Sequence, residues 1–178
     1  SEEEIGLLKV KCAINRLSKL NTEVNLIPYA FDLIPENAEE TISEYDVILD
    51  CTDRFEARYL IKDACVRQNN PWVFAALYKF EGQVSVFNHK SGPTYRCLFP
   101  FNAKQQELPS CSDVGVFAPA VGVVGVTQAS EALKVLLDLD QTLSGSLWCI
   151  DLLKMNTYTI KHTKNQEAID QIKVPNHL

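Results

Sequence analysis

The sequence predicts an α/β fold, a layered sheet with helices whose first strands run parallel and whose C-terminal part is antiparallel. Three observations predict it. Asp46 to Cys51 reads as a buried apolar strand, Phe55 to Asn69 carries helical periodicity, and Trp72 to Leu77 is a second apolar strand. Short links in the order strand, helix, strand mark a right-handed parallel crossover. Beyond it, Glu81 to Asn88 alternates Val84 and Val86 with Gln83 and Ser85, as a strand with one wet face does. Gly145 to Leu153 and Tyr158 to His162 then form a closing strand pair.

The remaining elements follow from the same periodicities. From Ile5 to Leu20, Leu8, Cys12, Leu17 and Leu20 fall near helical spacing with Lys and Arg between them, which predicts an amphipathic helix ended by Asn21. Glu23 to Phe31 alternates Val24 and Leu26 about Asn25, the period of a strand, and Glu36 to Ser43 is a short acidic helix. His89 to Asp113 holds three prolines and no sustained period, so it reads as a long irregular segment of the functional kind. Pro119 opens a helix that runs to Leu139. Asn165 to Leu178 is polar and reads as a frayed tail or the start of a linker.

Composition narrows the function classes. With 178 residues, 46% of them hydrophobic, the chain can bury one sizeable core. A net charge of -6 repels phosphate backbones and anionic lipids, which argues against nucleic acid and membrane surfaces as partners. The most apolar stretch, Ala118 to Leu139, is interrupted by Gln128, Glu131, Lys134 and Asp138, and the acidic start Ser1 to Glu4 opens no secretory signal. Six scattered cysteines, mostly inside apolar runs, suit reduced thiols and a cytoplasmic location. The only methionine is Met155, so the chain is read as lacking an N-terminal portion, or as having lost an initiator.

Few residues offer chemistry on local grounds. Asp53, in Leu49-Asp50-Cys51-Thr52-Asp53, stands just past the end of a buried strand, where a carboxylate can hold Mg²⁺ on nucleotide phosphates or simply cap the next helix. Lys9, early in a helix beside Gly6, can meet a phosphate or sit solvated. Cys111 is the one cysteine clearly outside an apolar run, a nucleophile or an inert loop thiol. Gly122 and Gly125 read as close helix packing. The chain contains no Cys-x-x-Cys, no ligand spacing among its three histidines, no G-x-G-x-x-G after a strand and no G-x-x-x-x-G-K-[ST].

Taken in order, Gly6-x-x-Lys9, Leu49-Asp50-Cys51-Thr52-Asp53, Glu81-Gly82-Gln83, Tyr95-Arg96-Cys97-Leu98, Gly115-Val116 and Gln128-Ala129-Ser130-Glu131 resemble the adenylyltransferases of molybdopterin and thiazole biosynthesis, the MoeB/ThiF/HesA type. These are relatives of ubiquitin-activating enzymes. The resemblance spans nearly the whole chain, with residues 1–164 as the C-terminal portion of one such domain and 89–113 as its active-site loop. It implies a Rossmann-like fold whose N-terminal nucleotide-binding βαβ portion is missing here. The implied reaction is ATP-dependent adenylylation of the C-terminal Gly-Gly of a ubiquitin-like sulfur carrier, MoaD-like first and ThiS-like second. By resemblance, Asp53 holds Mg²⁺, Lys9 contacts ATP phosphates and Cys111 matches a loop cysteine that in some members attacks the acyl-adenylate. Arg54 stands where the family has asparagine, so its nucleotide contact is open. The family's zinc site uses Cys-x-x-Cys twice; here only Cys97 is kept, with Thr94 in the partner position and no second pair, so the resemblance implies that zinc is lost in this member or that the second pair lies beyond the fragment. A homodimer is expected, and this polypeptide alone is expected to be inactive. A non-catalytic module that binds a ubiquitin-like tail is the reading from another class, and a dehydrogenase-type domain is disfavoured by the missing fingerprint.

Overall fold

A computed structural model describes residues 2–53, 55–100 and 114–173. The chain forms two compact units, Ser1–Leu33 and Ile34–Leu178. In the first, a 3-10 turn at Glu2–Glu4 precedes helix α1 (Lys9–Leu20), and Arg16 of α1 pairs with Glu4. The amphipathic pattern thus forms its helix from Lys9. Glu23 to Phe31, despite its alternation, forms neither helix nor strand, and it pairs with no strand whose ladder would hold it extended.

The second unit is a five-stranded sheet whose spatial order equals its chain order: β1 (Ile48–Asp50), β2 (Trp72–Tyr78), β3 (Glu81–Phe87), β4 (Ser146–Asp151) and β5 (Asn156–Lys161). β1 and β2 are parallel and joined by helix α3 (Phe55–Arg67), while every later pair is antiparallel. The mixed α/β sheet is therefore the expected one. β1 is shorter than the run Asp46 to Cys51 suggested and lies at the sheet's edge, so Leu49 is 40% exposed and only Asp50 is fully buried.

Alternation along the strands sends side chains to two faces. Val73, Val84 and Val86 pack on one face against Val124, Ala132 and Val135 of the long helix α5 (Ala118–Leu136). The close approach of helix and sheet occurs at Gly82, where an added Cβ would lie 2.2 Å from a methyl of Val124. Gly122 and Gly125, expected to be the packing glycines, would meet nothing within 4 Å. Neither glycine is therefore required by close packing, and Gly125 opens on a cleft instead.

Trp72, Phe74 and Phe87 occupy the other face, with Tyr95 of the short helix α4 (Tyr95–Leu98) among them at ring distances of 5.4, 5.4 and 5.6 Å. This aromatic layer dries the face expected to be wet. Ser85 is fully buried there and donates its hydroxyl to Ser146 O at 2.9 Å. α4 also interrupts the segment 89–113 that read as irregular throughout.

Helix α2 (Pro35–Ser43) buries Ala38 and Ile42 and packs on α3. α3 ends in a left-handed Asn69, with Asn70 N–H on Cys65 O and Asn69 N–H on Val66 O, the two bonds of a Schellman turn. The polar tail contains an element that composition concealed. Asn165 accepts the Ala168 N–H and starts helix α6 (Gln166–Lys173), whose Ile169 and Ile172 are buried against Val66. Only two apolar side chains on one stripe anchor it, too few for a window average to register. Among the described residues, no helix is long and apolar enough to cross a membrane.

Candidate functional site

β1 stops at Asp50, which pairs with Phe74, while β2 continues through Ala75 to Tyr78 without a β1 partner. The space beyond the carboxyl end of β1 is a cleft of about 660 Å³. Asp50, Thr52 and Asp53 line it from the β1 loop, Arg58 from α3, Phe74 to Tyr78 from β2, Gln83 from β3 and Gln128 from α5. Val121, Val124, Gly125 and Gln128 reach it together because they share one face of α5. In open α/β sheets this is where ligands bind.

A hydrogen-bond network fixes the loop that carries Asp53. The fully buried Asp50 carboxylate accepts Thr52 N–H at 2.8 Å, the Thr52 hydroxyl at 2.6 Å and Arg58 Nε at 3.2 Å. Arg58 also donates to Thr52 O at 2.9 Å and lies 5.1 Å above the Phe74 ring. From the opposite face, Gln128 Nε2 donates to Asp50 O at 2.8 Å and to Val73 O at 2.9 Å, which joins α5 to the ends of both parallel strands. Its Oε1 accepts the Cys51 thiol at 3.7 Å. Burial, and then the Asp50 charge, push that thiol's pKa up, so Cys51 is not an activated nucleophile.

The residues expected to act are placed as follows. Asp53 is exposed, lines the cleft and has no hydrogen bond or ion pair to another described residue. Thr52's hydroxyl is engaged by Asp50 rather than by the first turn of α3. Lys9 is the exposed first residue of α1 and belongs to the Ser1–Leu33 unit. Arg54 and Cys111 lie outside the described residues. Asp50 and Gln128 entered the sequence reading only as members of motifs, with no role of their own, and Arg58 did not enter it at all. For Arg58 a signal existed, since it falls at helical spacing with the buried Ile61, Lys62 and Cys65.

Two implied metals can be weighed against these side chains. A Mg²⁺ on nucleotide phosphates needs one or two carboxylates and completes its shell with phosphate oxygens and water. The uncommitted Asp53 carboxylate fits that demand; Asp50, spent on Thr52 and Arg58, does not. Zinc does not fit. Among the described residues no three His, Cys, Asp or Glu side chains gather as a metal site would require, and beside the Cys97 sulfur stand backbone groups of Thr94 and Asn165 rather than further thiolates or imidazoles.

The comparisons with known proteins agree with this architecture. The ThiF family model matches residues 1–170. The chain is 43% identical over 157 residues to the sulfur carrier protein adenylyltransferase of Thermus thermophilus, an alignment covering 85% of this chain and 58% of that protein. It is 39% identical over 160 residues to the adenylyltransferase and sulfurtransferase MOCS3 of Xenopus laevis, covering 90% of this chain and 36% of the relative. It thus spans a little over half of the first and about a third of the second. Among solved structures, MccB of E. coli with ATP superposes at a TM-score of 0.78 with 16% identity, over 93% of this chain and 51% of that one. PaaA does so at 0.70 with 15% identity, over 90% and 49%. These two share the Rossmann-like fold, and the matched family model extends that agreement through the cleft, its loop and the helix behind it: the chain belongs to the ThiF family.

Proposed function

We propose that this chain carries the acyl-activating site of an ATP-dependent adenylyltransferase acting on the C-terminal Gly-Gly carboxylate of a ubiquitin-like sulfur carrier. The observation that carries the reading is the cleft itself, with an uncommitted carboxylate, Asp53, at the strand end and an apolar wall that includes Phe74 and Leu77 of β2. A Gly-Gly terminus is the tail with least bulk to clash there. The relatives' names, which specify a sulfur carrier and adenylylation, point the same way.

In this reaction a carboxylate oxygen of the tail attacks the α-phosphorus of ATP, pyrophosphate leaves, and an acyl-adenylate results. Mg²⁺, when bound with the nucleotide, would neutralise charge that develops on the phosphate oxygens. Asp53 is the residue to hold it. The Asp50–Arg58–Gln128 network keeps the Asp53 loop in place, and Phe74, Leu77, Val121 and Val124 make the cleft wall apolar, which protects an acyl-adenylate from water. Lys9 contacting ATP phosphates, Arg54 contacting the nucleotide and Cys111 accepting the activated acyl group belong to this proposal by family resemblance. A molybdopterin-type carrier is the first substrate to test and a thiazole-type carrier the second, with a cytoplasmic location in both cases.

The working unit is proposed to be a homodimer. Val126 and Leu133 of α5 and Leu137 at its C-cap recur at helical spacing and are 73%, 58% and 68% exposed, an apolar stripe that a second copy would cover.

Carrier-dependent exchange of labelled pyrophosphate into ATP tests the function in the full-length protein, with the adenylated tail read by mass spectrometry. Asp53→Ala should lower exchange by about 10³-fold, the loss of several kcal/mol of charge stabilisation. Full exchange by that variant, or no exchange with either carrier, would refute the reading.

A further inference from the structure

The family resemblance calls for a tetrahedral zinc beside Cys97, and the residues present do not build one. They build something else. Cys97 Sγ accepts the backbone N–H of Thr94 at 3.4 Å and that of Asn165 at 3.3 Å, and the Thr94 hydroxyl stands 3.5 Å away. Asn165 lies 68 residues further along the chain, so one sulfur joins α4 to the start of the C-terminal helix. A tetrahedral zinc needs three further ligands beside this sulfur. Here the neighbours are two N–H groups, the Thr94 hydroxyl and the Asn165 carbonyl, to which the Cys97 thiol donates at 3.7 Å, and the next layer is apolar, with Ile169 and Ile172 of α6 and Val66 of α3 packed beside Cys97.

We infer that α6 and Cys97 form a metal-free clasp that does the joining for which the family uses zinc. Its thiol accepts N–H groups from two chain segments and donates to the Asn165 carbonyl, and its closing force is the burial of Ile169 and Ile172. The position of Cys97 gives the clasp a functional consequence. α4 begins with Tyr95, and both Tyr95 and Phe99 line the cleft, with their rings 4.7 Å apart. Holding α4 against α3 and α6 therefore holds one aromatic wall of the cleft. The second anchor of α4 is electrostatic: Arg96 donates to Asp63 of α3 at 2.8 Å. The clasp completes a two-point attachment.

The inference is independent of the proposed reaction, and its test needs no substrate. The full-length protein and its Cys97→Ser variant are compared for zinc content by plasma mass spectrometry and for melting temperature with and without a zinc chelator. A serine hydroxyl accepts the same two N–H groups but is a poor zinc ligand. Equal zinc content in the two proteins, and chelator-insensitive melting of both, are expected. Loss of one zinc per chain on Cys97→Ser, or chelator-sensitive melting confined to the parent, would overturn the inference. The helix half is tested by Ile169→Ala with Ile172→Ala, a mild pair that keeps α6's polar face. Amide exchange across Tyr95–Leu98 should accelerate by at least about tenfold, as expected when buried isoleucines are truncated. Unchanged exchange in that helix would show that α6 does not hold α4.

Discussion

Arg58 places a charge on a helix stripe that otherwise buries Ile61, Ala64 and Cys65, and its partner Asp50 has no exposure at all. Removing one member of such a pair strands the other. Arg58→Leu should therefore destabilise the protein by about 3–5 kcal/mol in urea unfolding, whereas Arg58→Lys keeps the charge but loses the guanidinium's second donor to Thr52. Lys62 is the other cation on the stripe. Its ammonium lies 3.4 Å over the Tyr59 ring and 3.5 Å from Asp63 Oδ1, and burial lowers its pKa from 10.5 to about 7 against the pull of Asp63. An unfolded chain keeps that proton where the folded one has released it, so stability should climb as pH rises above about 7, by up to about 1 kcal/mol per pH unit. The climb should flatten near pH 9.0, where an unfolded Cys65 ionises while burial holds the folded thiol at about 12. Denaturant titrations from pH 6 to 9 check it, and Lys62→Met should abolish the slope. The position of Asp53 beside the cleft was legible because its strand-end motif is local. Arg58 and Lys62 were not, since a periodicity read from apolar residues passes over a cation that occupies an apolar slot.

The elements were recovered wherever one face is apolar along its whole length. α3, β2, β3, α5 and β4 lie close to their expected positions because each buries side chains along much of its length, whereas β5, exposed at all six positions, was read from alternation and is held by its ladder with β4. Elements held by partners rather than by pattern were missed or misjudged. α6 rests on two isoleucines, α4 on one turn with Tyr95 inserted among aromatic rings, and β1 on a ladder with β2 alone. Gly82 was quoted as part of a motif, yet its physical reason appears only when helix and sheet are seen together. Gly82→Ala drives a methyl into Val124, so α5 must lift from β3 at a cost of about 1–3 kcal/mol. Thermal melting checks this, and Val124→Ala should restore part of the loss by opening the space that the new methyl needs.

For the molecule as a whole, the expectation of a homodimer becomes a statement about one surface. Val126→Glu with Leu133→Glu should convert dimer to monomer by light scattering, with melting little changed because neither side chain contributes to the described core. A dimer that survives both charges would move the interface elsewhere. The order of strands has a further consequence, for how the protein is made. β1, α3, β2 and β3 are adjacent in the chain and can pair as soon as they leave the ribosome. The helix and strand that cover β3 come much later, α5 from Ala118 and β4 from Ser146. Until they arrive, a nascent chain presents Val73, Val84 and Val86 as a bare apolar face beside an open strand edge. Slow translation between β3 and α5 would prolong that exposure, and holdase chaperones would find their binding surface there.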